Sequence, residues 1–156
     1  MKKTYFFRAV LGLVAAALAV GLSACGLFEG NSYRDDSGQV TASASINPSQ
    51  LQTGDCIVDY NGLPNSITTL DVVPCTDPHE AEVFAVNSSA TTDDDVNADF
   101  CKGAFQTYIG VSYDESELYA SWIISTSNRS DTAVLSCIVY DKENSSVTTS
   151  FKGSQR

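Results

Sequence analysis

The chain has 156 residues, with nine Lys and Arg against 19 Asp and Glu, and therefore a formal charge of −10. This acidic balance argues against nucleic acid as a partner, because phosphate binding needs clustered basic side chains. A hydrophobic fraction of 43% and a charged fraction of 18% are typical of a globular chain and exclude an intrinsically disordered one. The length predicts a single domain.

The N-terminus has the layout of a secretory signal over residues 1–24. Basic residues near the start precede an uncharged apolar run of 14 residues, from Ala9 to Leu22. That run is too short to cross a hydrocarbon core of ~30 Å as a helix. It ends in Leu22-Ser23-Ala24-Cys25, which resembles a bacterial lipobox, in which the cysteine is acylated and becomes the first residue of the mature protein.

We expect Cys25 to carry a lipid; an ordinary secretory signal with an incidental thiol at Cys25 is the alternative. The chain has five cysteines, so at least one is left without a disulfide partner within the chain. In an exported protein such a cysteine needs an explanation, and acylation supplies one. Each buried methylene contributes about 0.8 kcal/mol, so two or three acyl chains hold a protein firmly on a bilayer. The sequence therefore predicts a lipid-anchored protein on the extracytoplasmic face of the cell membrane. Loss of residues 1–24 leaves six basic and 19 acidic residues, a net charge of −13.

A flexible tether is expected to follow the signal, so that residues 25–48 comprise the lipidated cysteine and the tether. Small and polar residues dominate this segment, without a sustained helical or strand period. The pattern changes at Leu51, and the folded extracytoplasmic domain is placed at residues 49–156.

The sequence of residues 49–156 predicts an α+β domain, with a small antiparallel sheet of about five or six strands and one covering helix. Runs rich in β-branched residues, separated by turn residues, predict the strands. Their expected ranges are Cys56–Tyr60, Ser66–Val73, Ala81–Val86, Tyr119–Ser125, Ala133–Tyr140 and Val147–Phe151.

The helix is predicted to begin after Asp93-Asp94-Asp95 and to end at Gly110. Acidic side chains favour a helix N-terminus, and glycine favours a helix C-terminus. The acidic run lacks the alternating spacing and distal Glu of a calcium loop, so a solvated helix start is expected there. One helix face is expected to be buried, with Val96, Phe100, Cys101, Ala104, Phe105, Tyr108 and Ile109.

Four further cysteines, Cys56, Cys75, Cys101 and Cys137, predict two disulfides in an exported domain. A metal site is not expected, because the spacings of 19, 26 and 36 residues lack the paired Cys-x-x-Cys ligands of zinc sites. Of the three possible pairings we favour Cys56–Cys75, which would link neighbouring strands, and Cys101–Cys137, which would link the helix to a central strand.

His79 is the only histidine and lies among acidic residues. It could act as a general base or a metal ligand with Asp77, Glu80 or Glu82. The structural alternative, which we favour, is a histidine that fixes a turn before the next strand by side-chain hydrogen bonds. No serine lies in a Gly-x-Ser-x-Gly or Ser-x-x-Lys motif, and no catalytic residue or cofactor is expected.

Trp122 is the only tryptophan, and with Tyr108, Tyr113 and Tyr119 it could line a groove for a ligand such as a glycan. A single tryptophan in a small domain is more often part of the core, and that is our expectation.

Several short motifs resemble the septum formation domain family of actinobacterial envelope lipoproteins. The first is Gly54-Asp55-Cys56, and the second is Val72-Val73-Pro74-Cys75 followed by Pro78-His79-Glu80-Ala81-Glu82-Val83. Later landmarks are Cys101, Trp122, Arg129, Cys137 and Thr149-Ser150-Phe151-Lys152-Gly153. Relatives usually have a glycine where this chain has Thr149.

The resemblance implies a non-catalytic extracytoplasmic domain with a binding or scaffolding role in the envelope, in the context of septum formation or division. The expected partners are the membrane, through the lipid, and a cell-wall polymer or division and envelope proteins. The residues assigned to binding are His79, Glu80, Glu82, Trp122 and Arg129. The alternative function is an envelope hydrolase or metal-dependent enzyme that uses His79 and its neighbouring carboxylates.

Overall fold

The computed structural model of this chain describes residues 33–60, 67–126, 133–143 and 145–156. The described strands and helix, in chain order, are β1 Ala44–Ile46, β2 Cys56–Ile57, β3 Leu70–Val73, β4 Ala81–Asn87, α1 Asp94–Ile109, β5 Leu118–Thr126 and β6 Ala133–Asp141. Two 3-10 turns lie at Pro48–Gln50 and Tyr113–Glu115. None of the described helices is long and apolar enough to cross a membrane.

The six strands form one antiparallel sheet with the order β1-β3-β2-β4-β6-β5. With one covering helix and two disulfides, this is the predicted α+β architecture. The longest pairing joins β5 to β6 over nine residues, from Leu118↔Asp141 to Thr126↔Ala133. The register of β4 against β6 shifts between Val83 and Ala85, which marks a bulge in β4.

Each face of the sheet carries its own hydrophobic cluster. The helix packs over one face, where Phe105 and Ile109 lie against residues of β4, β5 and β6 such as Phe84. The cluster on the other face joins Ile46 of β1 to Ile123 of β5, although these are the two outermost strands. The 3-10 turn at Pro48–Gln50 also contacts β5. The sheet is therefore curled, so that its two edges approach each other.

The C-terminal end of α1 agrees with the sequence prediction, and its N-terminus lies at Asp94, inside the acidic run that was expected to precede the helix. The Asp93 side chain accepts the backbone N–H groups of Asp95 and Val96, so it is the N-cap. The helix ends at Gly110, whose φ of 98° is a left-handed conformation that glycine adopts without strain.

The predicted buried face of α1 is wrong at its N-terminal turns. Val96 and Phe100 are 51% and 37% exposed, whereas Asn97 is buried. The Asn97 amide hydrogen-bonds the backbone N–H and C=O of Thr91, which satisfies it in the interior. Asn97 lies at four-residue spacing from the buried Cys101, Phe105 and Ile109 and so shares their face. A polar residue thus occupies the position where periodicity predicted an apolar one.

Both predicted disulfides are present. Cys56–Cys75 joins β2 to the loop after β3, with a Cα–Cα distance of 5.3 Å. Cys101–Cys137 joins α1 to β6, with a Cα–Cα distance of 5.5 Å. Both half-cystines of the second bridge lie in the helix-side cluster, so this bridge and the apolar packing hold the same interface.

The expectation of a flexible tether up to residue 48 is wrong for its described part, residues 33–48. Arg34 and Val40 form a β-bridge, and β1 pairs with β3 at the edge of the sheet. Ile46 is only 4% exposed and packs in the core. The folded body therefore includes at least residues 33–48, in which apolar side chains are too sparse to show a period.

The strand predictions hold for the long strands and are wrong for some short ones. β4, β5 and β6 match the predicted strands within one residue at each end. The predicted strand at Cys56–Tyr60 is shorter, since β2 ends at Ile57. The predicted strand at Val147–Phe151 is absent, because only Val147 pairs, in a single bridge to His79.

Candidate functional site

His79 lies in the turn that precedes β4 and is fully buried. Its backbone N–H and C=O pair with the C=O and N–H of Val147, at 2.9 and 2.8 Å. Its Nδ1 lies 2.8 Å from the carbonyl oxygen of Asp77, so Nδ1 carries the proton that this contact needs. Nε2 has no hydrogen-bond partner within the described part of the chain. These contacts match the predicted turn histidine.

Glu82 is a buried carboxylate in β4 that joins three parts of the fold. Oε1 accepts hydrogen bonds from the Tyr108 hydroxyl of α1 and, at 2.6 Å, from Ser150 Oγ. Oε2 accepts the backbone N–H of Phe151 at 2.6 Å. Burial, together with the hydrogen bond to Glu82, raises the pKa of Tyr108 well above its usual value. Glu82 therefore links the sheet, the helix and the C-terminal segment.

Cys56, His79 and Glu82 place one potential metal-ligand atom each within 4.8 Å of one another. All three residues are buried. The Cys56 sulfur is bonded to Cys75, however, and a metal binds a cysteine as its thiolate. The Glu82 carboxylate already accepts three hydrogen bonds. In this oxidised form, the cluster therefore has one available metal ligand, the lone pair of His79 Nε2, because Cys56 has no thiolate and the Glu82 oxygens are already hydrogen-bonded.

The other two carboxylates near His79 do not converge with it on a cleft. Glu80 Oε2 accepts the backbone N–H of Tyr60 at 3.0 Å. Asp77 is exposed, and its contact with His79 is made by its backbone carbonyl. The residues that the sequence grouped around His79 thus share a neighbourhood but have separate structural contacts.

Asp55 forms a buried ion pair that the sequence analysis missed. Its two carboxylate oxygens lie 2.6 and 2.7 Å from the terminal nitrogens of Arg34, and the two side chains are 2% and 4% exposed. The same carboxylate accepts the backbone N–H of Gln52. Gly54 before it has a φ of 96°, and Cys56 after it is oxidised. Each residue of the Gly-Asp-Cys motif therefore has a structural role.

A groove lies between the two edges of the curled sheet and has a volume of about 410 Å³. Five consecutive residues of β5, Trp122 to Thr126, line one side of it. Asn47 and Pro48 of the 3-10 turn, with Ile67, line the other side. The sequence did not predict the second side of the groove, because Asn47 and Pro48 fall in the segment that was expected to be a flexible tether.

Trp122 is half-buried, packs against the helix-side cluster and borders this groove. The three tyrosines that the alternative interpretation placed with it do not border the groove. Tyr108 contacts Glu82, Tyr113 packs on Phe105, and Tyr119 packs on Tyr140. Two further predicted site residues, Cys25 and Arg129, lie outside the described residues.

Comparisons with protein-family models, curated proteins and solved structures found no match to this chain. The septum-formation resemblance stays a prediction, based on the motifs quoted above.

Proposed function

We propose that this chain is a lipoprotein anchored at Cys25 on the extracytoplasmic face of the membrane, with a non-catalytic binding or scaffolding role in the cell envelope. The lipobox-like residues support the anchor, and two disulfides suit an oxidising compartment. The motifs shared with septum formation domains make division the expected context. We assign the binding role to the groove between the sheet edges.

The groove is the observation that carries the binding proposal. Its volume of about 410 Å³ lies within the range of ligand sites, ~300–1,000 Å³. Trp122 borders one side and Ile67 the other, Thr126 adds a hydroxyl-bearing residue, and the exposed lining of the groove is mainly polar. Partly buried aromatic side chains with polar neighbours are typical of binding sites.

The polar cluster around His79 supports binding over catalysis. A general base must reach the proton that it removes, and a nucleophile must be free to react. Here Nε2 of His79, the ring nitrogen without a hydrogen-bond partner among the described residues, is buried away from solvent. Cys56 is oxidised, and the Glu82 carboxylate accepts three hydrogen bonds. The hydrolase alternative would need these groups to be rearranged.

A site-specific cross-link in intact cells tests the proposed function. A photoreactive amino acid replaces Ile124, which borders the groove and is 43% exposed. The matched control places it at Val96, which is 51% exposed on α1 and does not border the groove. We expect a discrete adduct with an envelope component from position 124 alone.

The outcome also depends on the anchor. In the Cys25→Ser form the adduct should weaken, since the protein would no longer be held beside envelope partners. Adducts of equal yield from positions 124 and 96, or none from position 124, would contradict a binding role for the groove.

A further inference from the structure

The groove runs along the open backbone edge of β5. Successive side chains of a strand point to opposite faces of the sheet. Ile123 indeed belongs to the cluster on the curled face, and Trp122 packs against the cluster on the helix face. All five residues from Trp122 to Thr126 nevertheless border one groove. Residues from both faces of the sheet border the same groove when that groove follows the edge of the strand, because side chains of both faces lie next to the edge.

This edge has backbone groups available for pairing. β5 is the last strand in the sheet order, and within the described residues it pairs with β6 alone. In an antiparallel pair every second residue turns its N–H and C=O away from the partner. Natural edge strands are usually protected by charged residues, proline or bulges. The nine residues Leu118–Thr126 contain no charged residue and no proline, and their register against β6 is unbroken.

Within the described residues, no backbone hydrogen bond joins the opposite wall to β5. Pro48 has no N–H, and Ile67 contributes an apolar side chain to the wall. The Asn47 side chain is already engaged, since it accepts the N–H and hydroxyl of Ser49 and donates to the Thr68 carbonyl. The groove therefore places one row of backbone donors and acceptors of β5 beside a wall that leaves them unpaired among the described residues, and its exposed lining is mainly polar.

We propose that this groove binds an extended polypeptide segment, which adds to β5 as a further strand. A polypeptide repeats its N–H and C=O groups with the spacing that a strand edge presents, and a glycan does not. The five lining residues of β5 extend over about 13 Å at ~3.3 Å per residue, enough to pair with four or five residues of a partner. This inference rests on the proposed binding function and specifies its ligand class.

Charge indicates the chemistry of that segment. The mature chain carries 19 acidic and six basic residues, whereas the eight residues that line the groove are uncharged. Uncharged side chains such as Val suit a groove without charged lining residues, and Lys or Arg at the alternate positions suit the negative field of the chain. A second copy of this chain is a less suitable occupant, because two bodies of charge −13 repel each other.

The test measures binding of synthetic peptides to the mature protein purified from membranes. The probe is a nine-residue peptide in which Val and Lys alternate, and its charge control has Glu in place of Lys. Two further peptides carry N-methyl groups on the odd or on the even amides of the Val/Lys peptide. N-methylation removes the donor from one edge of the bound strand while leaving the charge unchanged.

We expect the Val/Lys peptide to bind, and the Glu peptide to bind at least tenfold more weakly. One N-methylated series should lose at least tenfold in affinity, and the other should stay within twofold of the parent. Equal effects from both series, or no binding by any peptide, would overturn strand addition, because attraction by charge alone does not depend on which edge is blocked.

A matched pair of protein variants locates the binding surface. Ile124→Lys places a positive charge in the groove and should weaken Val/Lys binding at least tenfold. Val96→Lys adds the same charge on α1 and should leave the affinity within twofold. Equal effects from the two variants would overturn the assignment, and the peptide series on the native protein remains decisive if a variant fails to fold.

The cross-link at position 124 separates this inference from the proposed function. An adduct with a wall glycan or with a second copy of the chain would keep the binding role and overturn polypeptide strand addition. An adduct with an extended segment of another envelope protein would support both.

Discussion

Two buried carboxylates, Asp55 and Glu82, are stabilised by different means. Asp55 faces the guanidinium of Arg34, so the pair is electrically neutral. Glu82 has no such cation within hydrogen-bond distance among the described residues, and three neutral donors surround its oxygens instead. A buried carboxylate needs one of these arrangements, because removing it from water without compensation costs several kcal/mol.

Loss of Arg34 should destabilise the fold strongly. Arg34→Ala leaves the Asp55 carboxylate buried and unpaired, and we expect the free energy of unfolding to fall by about 3 kcal/mol. Urea denaturation measures this change. The control is Glu117→Ala, because Glu117 is 78% exposed and lies 4.0 Å from Arg156. It should change stability by about 0.5 kcal/mol or less, and an equally small effect of Arg34→Ala would refute the buried pair.

Alkaline pH should reveal the hydrogen bond from Tyr108 to Glu82. The pKa of Tyr108 is raised in the folded state, so its contribution is fully present below pH ~10 and is lost as pH rises further. Burial also raises the pKa of Tyr60 and of Tyr140, which adds to the decline.

The variant Tyr108→Phe isolates that contribution. We expect it to be less stable than the native chain at pH 8, because Glu82 loses a donor, and to lose stability more gradually between pH 10 and 12. Urea denaturation across this pH range gives the comparison. Parallel profiles of stability against pH for the two proteins would show that the pKa of Tyr108 is not raised in the folded state, and would contradict its hydrogen bond to Glu82.

At the residue level the sequence predicted covalent and local features better than long-range polar ones. Both disulfides, the Asp93 cap and the turn role of His79 depend on neighbouring residues or on a small set of cysteines. The Arg34–Asp55 pair joins residues that are 21 positions apart, with no local pattern to connect them. The sequence also does not show which acids are buried, so it could not distinguish Asp55, which has a cation, from Glu82, which has neutral donors.

Among the elements, β1 differs most from the prediction, because it is a strand where a flexible tether was expected. Its three residues carry too little pattern to predict a strand, and it forms because β3 offers an edge and the core accepts Ile46. Long strands such as β5 and β6 were predictable, since nine residues show the strand character clearly. The groove could not be predicted, because it exists only where the sheet curls and its edges meet.

Truncation tests whether the N-terminal segment belongs to the folded body. A chain that begins at residue 31 should fold, and one that begins at residue 49 should lose about 5 kcal/mol or fail to fold. The shorter chain lacks Arg34 and leaves Asp55 unpaired, and it also lacks Ile46, whose burial contributes about 2 kcal/mol. Near-ultraviolet circular dichroism and urea midpoints give the comparison. Equal urea midpoints would show that residues 33–48 do not stabilise the folded body, as the predicted tether requires.

On the scale of the whole molecule, the proposed function depends on the short segment that precedes the described body. Residues 26–32 separate Cys25, the proposed lipid site, from Tyr33, the first described residue. The proposed mature chain carries a net charge of −13, and anionic lipid head groups would repel it. The proposal therefore assigns membrane attachment to the acyl chains alone.

The most direct test of this account is the intact mass of the protein extracted from membranes, measured after thiol alkylation with and without reduction. We predict a chain that begins at an acylated Cys25 and in which Cys56, Cys75, Cys101 and Cys137 react only after reduction. A chain that begins elsewhere, or one in which Cys25 reacts as a free thiol, would contradict the lipid-anchored, extracytoplasmic binding module.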